Sequence, residues 1–312
     1  MRELEARFST EEACREYLAA LRWPEGFVCP VCRCRDAWRL NSGLYECSHC
    51  GRKTSVTAGT AFDGTRKPLV LWFRVAWLIV SQKSGANALG LQRALAIGTY
   101  KTAWTWFHKL RRAMVRPGRD RLSGTVQVDE TYIGGTRQGK RGRGAAGKSL
   151  VVIAVQEEGS QAGRIRLQRV ADASGASLQA AVQKMIEPGA VVRTDGWSGY
   201  NGLNSLGYRH EIVRKSESLG DNLLPLCNRQ AGLLKRWLAG TYQGAVSPEH
   251  LEYYLDEYTF RFNRRTSTHR GKLFYRLLQN AVTTEAVTYD GIARGLRGRR
   301  RRPQHIGVTA AK

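Results

Sequence analysis

The 312 residues carry 50 lysines and arginines against 26 acids, a net charge of +24, with 42% hydrophobic residues. That composition excludes a chain disordered throughout, and it makes a polyanion the expected partner, because each neutralised phosphate releases condensed counterions. The longest apolar stretch is interrupted by Arg74 and is too short to span a bilayer, while Arg2, Glu3, Glu5 and Arg7 interrupt any secretory leader, so a cytoplasmic protein is expected.

Residues 9–22, STEEACREYLAALR, begin with a Ser/Thr cap and an acidic first turn and continue with apolar residues at helical spacing. An N-terminal helical segment over 1–24 is expected. Next come CPVC (29–32) and CSHC (47–50), separated by WRLNSGLYEC, which alternates as a hairpin does. So small a module has little apolar core. Four thiolates on one Zn²⁺ supply the missing folding energy, and paired CxxC turns aim four sulfurs at one ion. Cys29, Cys32, Cys47 and Cys50 are therefore expected to hold structural zinc in a ribbon spanning 25–62. Cys34 is expected to be a bystander, Cys14 and Cys227 buried thiols, and His49 no ligand.

Residues 66–117 read as helices, PLVLWFRVAWLIVSQ, ANALGLQRALA and KTAWTWFHKLRRAM, the last two divided by IGTY. A short helix, a Gly-bearing turn and a second helix with Lys101, Lys109, Arg111 and Arg112 match a helix-turn-helix whose second helix enters the major groove. A plain helical bundle with a solvated basic face fits the same pattern. At least two of Trp104, Trp106 and Phe107 are expected in the core.

After Pro117 the period shortens to two. TVQVDETYIGG, KSLVVIAVQEEG and RIRLQRVAD read as consecutive antiparallel strands, followed by the helix SGASLQAAVQKMI, the strand AVVRTDGWSGY, the strand HEIVRK and terminal helices from about residue 228. The expected class is α/β, an α+β mixed sheet in the element order of a ribonuclease H-like domain over 120–285, although these signals also allow other α+β folds. Asp129 interrupts an apolar strand and Asp195 ends another. Two carboxylates placed so suggest a divalent-metal site, and oxygen ligands suit Mg²⁺ or Mn²⁺, two ions serving phosphoryl transfer. Turn-capping aspartates are the simpler alternative.

The stretches VDETYIGG, TDGWSGY and LLKRWLAGTYQGAVSPEHLEYYLDEYTFRFNRR resemble the signatures of DDE-type insertion-sequence transposases of the ISXO-like group, which also place a zinc ribbon ahead of a ribonuclease H-like catalytic domain. The resemblance implies Asp129 and Asp195 as the first and second catalytic carboxylates, Asn228 as a neutral third metal ligand, and Lys235 as the lysine that follows it. Seven residues are nearly two helical turns, so Asn228 and Lys235 share a face. Of the rival acids, Glu130 should point to the opposite strand face from Asp129. Glu217 and Asp221 lack a frame that fixes them beside it, and Glu249, Glu252 and Glu257 read as charges on a solvated helix.

The resemblance further implies a nucleoid-associated bacterial enzyme acting on double-stranded DNA, both element ends and target, as a homo-oligomer, a dimer in the synaptic complex. A DNA-binding regulator on a weakened catalytic scaffold is the alternative. Beyond the helix-turn-helix, Arg137, Lys140, Arg141 and Arg143 in a Gly-rich loop, Arg264 and Arg265 in FRFNRR, and a basic tail over 286–312 are candidate phosphate contacts. Trp197 and Tyr200 read as packing beneath the site, and His210 as a partly buried strand residue.

Overall fold

The structure is a computed structural model that describes residues 2–116, 118–134, 148–214, 222–244 and 246–294. Two helices lead, α1 (Arg2–Arg7) and α2 (Glu11–Arg22), the second capped by the Thr10 hydroxyl, which accepts from the Ala13 N–H. The segment α1 falls within the helical stretch expected over 1–24 and is a separate short helix ahead of the one that starts at the Ser/Thr cap. What seats this segment is Leu4 together with Phe8, whose ring meets those of Tyr17 and Phe73 edge-on at 4.9 and 4.8 Å. The ribbon follows as an antiparallel meander of β1 (Ala37–Arg39), β2 (Tyr45–Cys47) and β3 (Lys53–Thr54). Its apolar content is the small aromatic group Trp23, Phe27 and Tyr45 beside buried Cys29 and Cys47.

Three helices come next: α3 (Leu69–Ser81), α4 (Ala88–Ala94) and α5 (Tyr100–Ala113), with Asn87 and Thr99 as N-caps of the last two. Trp106 and Phe107 are buried and Trp104 packs at the core margin, as expected. The core around α3 and α5 is completed from far along the chain, since Leu273, Phe274, Leu277 and Leu278 of a late helix (Arg270–Ala281) fill it. Burial of these four side chains stabilises the assembly by roughly 1.5–3 kcal/mol each.

The large sheet contains β4 (Thr125–Ile133), β5 (Ser149–Glu158), β6 (Gln161–Val170), β7 (Val191–Thr194) and β8 (Arg209–Ile212), in the order β6-β5-β4-β7-β8. The first three are antiparallel and β7 and β8 join parallel to β4. This is the ribonuclease H-like arrangement. Helix α6 (Gly175–Met185) and a 3-10 segment (Ser198–Leu206) bury one face with Val126, Val128, Val152 and Ala154. Helices α7 (Pro225–Tyr242) and α8 (Leu251–Phe262) bury the other with Val151, Ile153 and Val155. The late helix is α9, and α10 (Tyr289–Ala293) ends the described chain.

One expectation about α8 fails. Glu257 is not on a solvated face: it is fully buried, receives Arg111 Nε and Arg261 Nε at 2.8 Å each, and accepts from the Tyr242 hydroxyl at 3.0 Å. The guanidinium of Arg111 is sandwiched over the Phe107 and Tyr254 rings at 3.9 and 4.1 Å. This ion pair ties the helical layer to the catalytic domain's outer helices.

Candidate catalytic centre and metal site

In the ribbon, the Sγ atoms of Cys29, Cys32, Cys47 and Cys50 lie within 4.8 Å of one another, with Cys29 to Cys50 at 3.6 Å, Cys32 to Cys47 at 3.5 Å and Cys32 to Cys50 at 3.4 Å. Four sulfurs at about 2.3 Å from a tetrahedral zinc would be about 3.8 Å apart, so this donor set fits Zn²⁺. Within the cluster, the backbone N–H of Cys32 is the main influence that lowers the Cys29 thiol, while the other three thiols are raised. Cys34 stands outside the cluster beside Ser48 and the Asp36 carbonyl. Cys14 and Cys227 are buried, the first pushed up to about 12 mainly by burial, as an inert thiol should be. Substituting Cys47 with serine is expected to release stoichiometric zinc and to unfold the ribbon while the sheet domain keeps its fold; metal analysis together with amide exchange of residues 25–54 checks both.

β4 and β7 run parallel, and their ladder ends with Gln127 opposite Arg193; Asp129 and Asp195 each stand two residues beyond that last pair. Asp129 is half-buried and accepts the Glu130 N–H at 2.8 Å. Asp195 lies just past the end of β7, is exposed, and caps the following turn by accepting the Trp197 N–H at 3.0 Å. The expectation of two strand-buried carboxylates therefore holds only in part: the strand stops at Thr194, and the second aspartate takes the turn-capping geometry.

The N-terminal turn of α7 closes this face. Leu226 N–H donates to the Gln127 Oε1 at 3.1 Å, and Cys227 Sγ sits 3.6 Å from the carbonyl of Ile153, the residue paired with Asp129 across β5. Burial and then the Asp129 charge push the Cys227 thiol well up, which places that carboxylate close to the helix turn. Asn228, next in sequence, is exposed, and its Nδ2 donates to Asn222 Oδ1 at 2.7 Å. Lys235, two turns on, is exposed at a cavity of about 340 Å³ shared with Lys148. Partial burial and Lys148 hold its amine below the usual lysine range, opposed by the charge of Asp129.

Glu130 points to the other face, where it accepts from the buried Tyr200 hydroxyl at 3.0 Å. Trp197 donates to the Ala173 carbonyl and packs against the same core, and His210 is paired with Thr194 at 2.8 Å. Glu217 and Asp221 lie outside the described residues, as do Arg137, Lys140, Arg141, Arg143 and the tail beyond residue 294.

Two of the predicted groove-facing cations are corrected. Arg111 is 2% exposed in its pair with Glu257, and Lys109 is 8% exposed, its amine donating to the Asp63 carbonyl at 3.0 Å. Both turn inward because α5 packs its basic last turns against α8 and the 63 loop. Lys101 stays exposed, its amine over the Tyr289 ring, and Arg112 reaches the Glu285 carbonyl at 2.9 Å. Arg264 stacks on Phe260, and Arg265 donates to the carbonyls of Ala162 and Gly163.

The chain thus joins a four-cysteine ribbon to a mixed sheet that carries Asp129 in β4 and Asp195 just past β7. Residues 121–263 match the ISXO2-like transposase domain, and residues 9–53 match the transposase zinc-ribbon domain. The chain is similar to an uncharacterized protein in transposable element ISH50 of Halobacterium salinarum, 26% identical over 276 residues, 81% of this chain and 91% of that one. Among solved structures it has a remote likeness to a chain of the simian T-cell lymphotropic virus intasome in complex with PP2A regulatory subunit B56 gamma. That likeness is 16% identical, covers 59% of this chain and 70% of that one, and has a TM-score of 0.31. At that score it carries no weight for the fold or the site.

Proposed function

We propose that the chain binds the ends of its element, hydrolyses the 3′ phosphodiester and transfers the freed 3′ hydroxyl into target DNA. The observation that supports this reading most is that the parallel β4–β7 ladder ends two residues before both Asp129 and Asp195, with the α7 turn that leads to Asn228 bonded to Gln127 of the same strand. Two carboxylates and an amide oxygen form a hard donor set suited to Mg²⁺ or Mn²⁺. When bound, a pair of such ions supplies Lewis-acid activation of the attacking oxygen and stabilisation of the leaving one. The chain's own residues do the positioning. Asp129 and Asp195 fix where the reacting phosphate sits, Asn228 adds a ligand without charge, and Lys235 holds a phosphate of the same strand from the next two turns of α7. Strand transfer needs two ends held together, so a dimer in the synaptic complex accompanies this reading.

A strand-transfer assay on labelled element ends in Mg²⁺ or Mn²⁺ tests it, comparing the wild type with Asp129→Ala, Asp195→Ala and Asn228→Ala. Cleavage that survives loss of Asp129 refutes the assigned site. Sequence-specific binding with no cleavage in any version identifies a regulator instead.

The neutral third ligand has its own consequence. Two aspartates offset half the charge of a divalent pair, so DNA phosphates complete the negative environment. Mn²⁺ should bind weakly to the free protein and more tightly with end DNA present. Replacing Asn228 with aspartate is expected to raise the DNA-free Mn²⁺ affinity by about tenfold, because affinity follows ligand charge. Titration by electron paramagnetic resonance reads this directly, and tight binding by the unmodified free protein contradicts it.

A further inference from the structure

We infer that an arginine-lined trough between α5, α9 and the edge strand β6 is a second seat for duplex DNA backbone, separate from the catalytic face. The inference rests on the reading of the chain as a DNA transposase and assigns part of its grip to residues outside the helix-turn-helix and the catalytic centre.

The trough encloses about 590 Å³ and is lined by Arg116, Arg119, Arg164, Arg166, Arg264 and Arg276, with Asp120 the one carboxylate among its described lining residues. Asp120 is divided between Arg116 at 3.5 Å and Arg164 at 4.0 Å, and both of these contacts are largely exposed and weak. Arg166 is only 6% exposed, yet its guanidinium meets carbonyls, of Ile165 and Asp120, rather than an ion partner. Burial, then the neighbouring charges of Arg119 and Arg164, push its guanidinium down to about 10. Six guanidinia gathered around one carboxylate repel one another. A multiply charged anion entering the trough relieves that repulsion, and the planar fork of arginine matches phosphate oxygens.

Shape and composition favour a backbone over free bases. The one aromatic lining residue, Phe260, is buried beneath the Arg264 guanidinium, so no ring is offered for base stacking, as single-stranded sites require. The trough also continues. A neighbouring cavity of about 790 Å³ shares Arg116 and Arg119 with it and adds Arg112, Arg121 and Arg169, although Glu252, Asp256 and Glu285 moderate its charge. Leu167 of β6 pairs with Ile153, which pairs with Asp129, so this edge strand runs about 10 Å, two strand spacings, to the side of Asp129. Backbone held there lies alongside the reacting phosphate. The contact is independent of base sequence, because it engages phosphates alone.

The test uses the full chain and a random-sequence duplex, with affinity measured over a range of salt. Arg116 and Arg276 are exposed and are changed together, in one variant to alanine and in another to glutamate. Affinity is expected to fall at least tenfold in the glutamate pair, and the alanine pair should lower the salt slope by about one for each lost phosphate contact. Melting temperatures should match the wild type. Arg209→Glu, on β8 at the opposite edge of the sheet, removes a cation as exposed and serves as the control with a smaller loss. Wild-type affinity and slope in both pairs, or an equal loss in the control, overturns the trough. A wild type that neither binds duplex nor transfers ends overturns the transposase reading itself, which separates the two failures.

Discussion

Asp129→Asn is expected to lower strand transfer by about 10³-fold or more, which is about 4 kcal/mol of barrier, while leaving end binding and the melting temperature unchanged. Asparagine keeps the shape, and its carbonyl oxygen can still accept the Glu130 N–H now bonded to the carboxylate at 2.8 Å. What is lost is one of the two carboxylate charges of the proposed site. Because Asn228 contributes none, the loss is proportionally larger than at a site with three carboxylates. Glu130→Gln supplies the contrast. Its side chain is on the opposite strand face, bonded to Tyr200, and its replacement should leave transfer within a few-fold of wild type. Equal defects in the two variants would mean that the catalytic face of β4 has been assigned to the wrong side. Gel assays on a labelled end, paired with thermal melting, read both quantities from one preparation.

Glu257→Ala is expected to cost about 3–5 kcal/mol of stability, because it leaves the Arg111 guanidinium buried without its counter-ion. Arg261, which also donates to this carboxylate, loses its partner as well. A combined replacement of Arg111 and Glu257 by methionine should recover much of the loss, since the desolvated charge is then gone from both sides. The pair also sets an acid limit. Burial alone would raise the Glu257 carboxyl, but Arg111 and Arg261 overcome it and hold the group below the usual carboxylate range. A depressed folded value contributes stability that is present above the unfolded pKa, about 4.3, and is lost as pH falls through the folded value. Denaturant midpoints of the wild type and Glu257→Gln should therefore differ at neutral pH and draw together in acid.

The elements themselves were legible because each is written in local periodicity. The alternation of TVQVDETYI and SLVVIAVQ, the Ser/Thr cap ahead of α2, and the paired CxxC turns all act within a few residues, and the structure has strands, a helix and a sulfur cluster there. The helical stretch at the N-terminus was legible too, but the core that seats Leu4 and Phe8 is completed from far along the chain.

Charge was read less well than shape. Arg111 and Lys109 looked like groove-facing cations and Glu257 like a solvated acid, since each sits in a helix with polar neighbours. Arg111 and Glu257 are 146 residues apart, and no local pattern reports that each is the other's reason for being buried. The same holds for the trough, whose arginines come from the segment after α5, from β6, from the turn after α8 and from α9. Thus the sequence by itself determined the secondary elements, the four-cysteine ribbon, and the placement of Asp129 in a strand. Only the tertiary structure decided which charges face water, which face each other, and that β7 stops at Thr194 and leaves Asp195 capping a turn. Periodicity is a property of neighbours along the chain, whereas the dielectric around a charge is a property of everything packed against it.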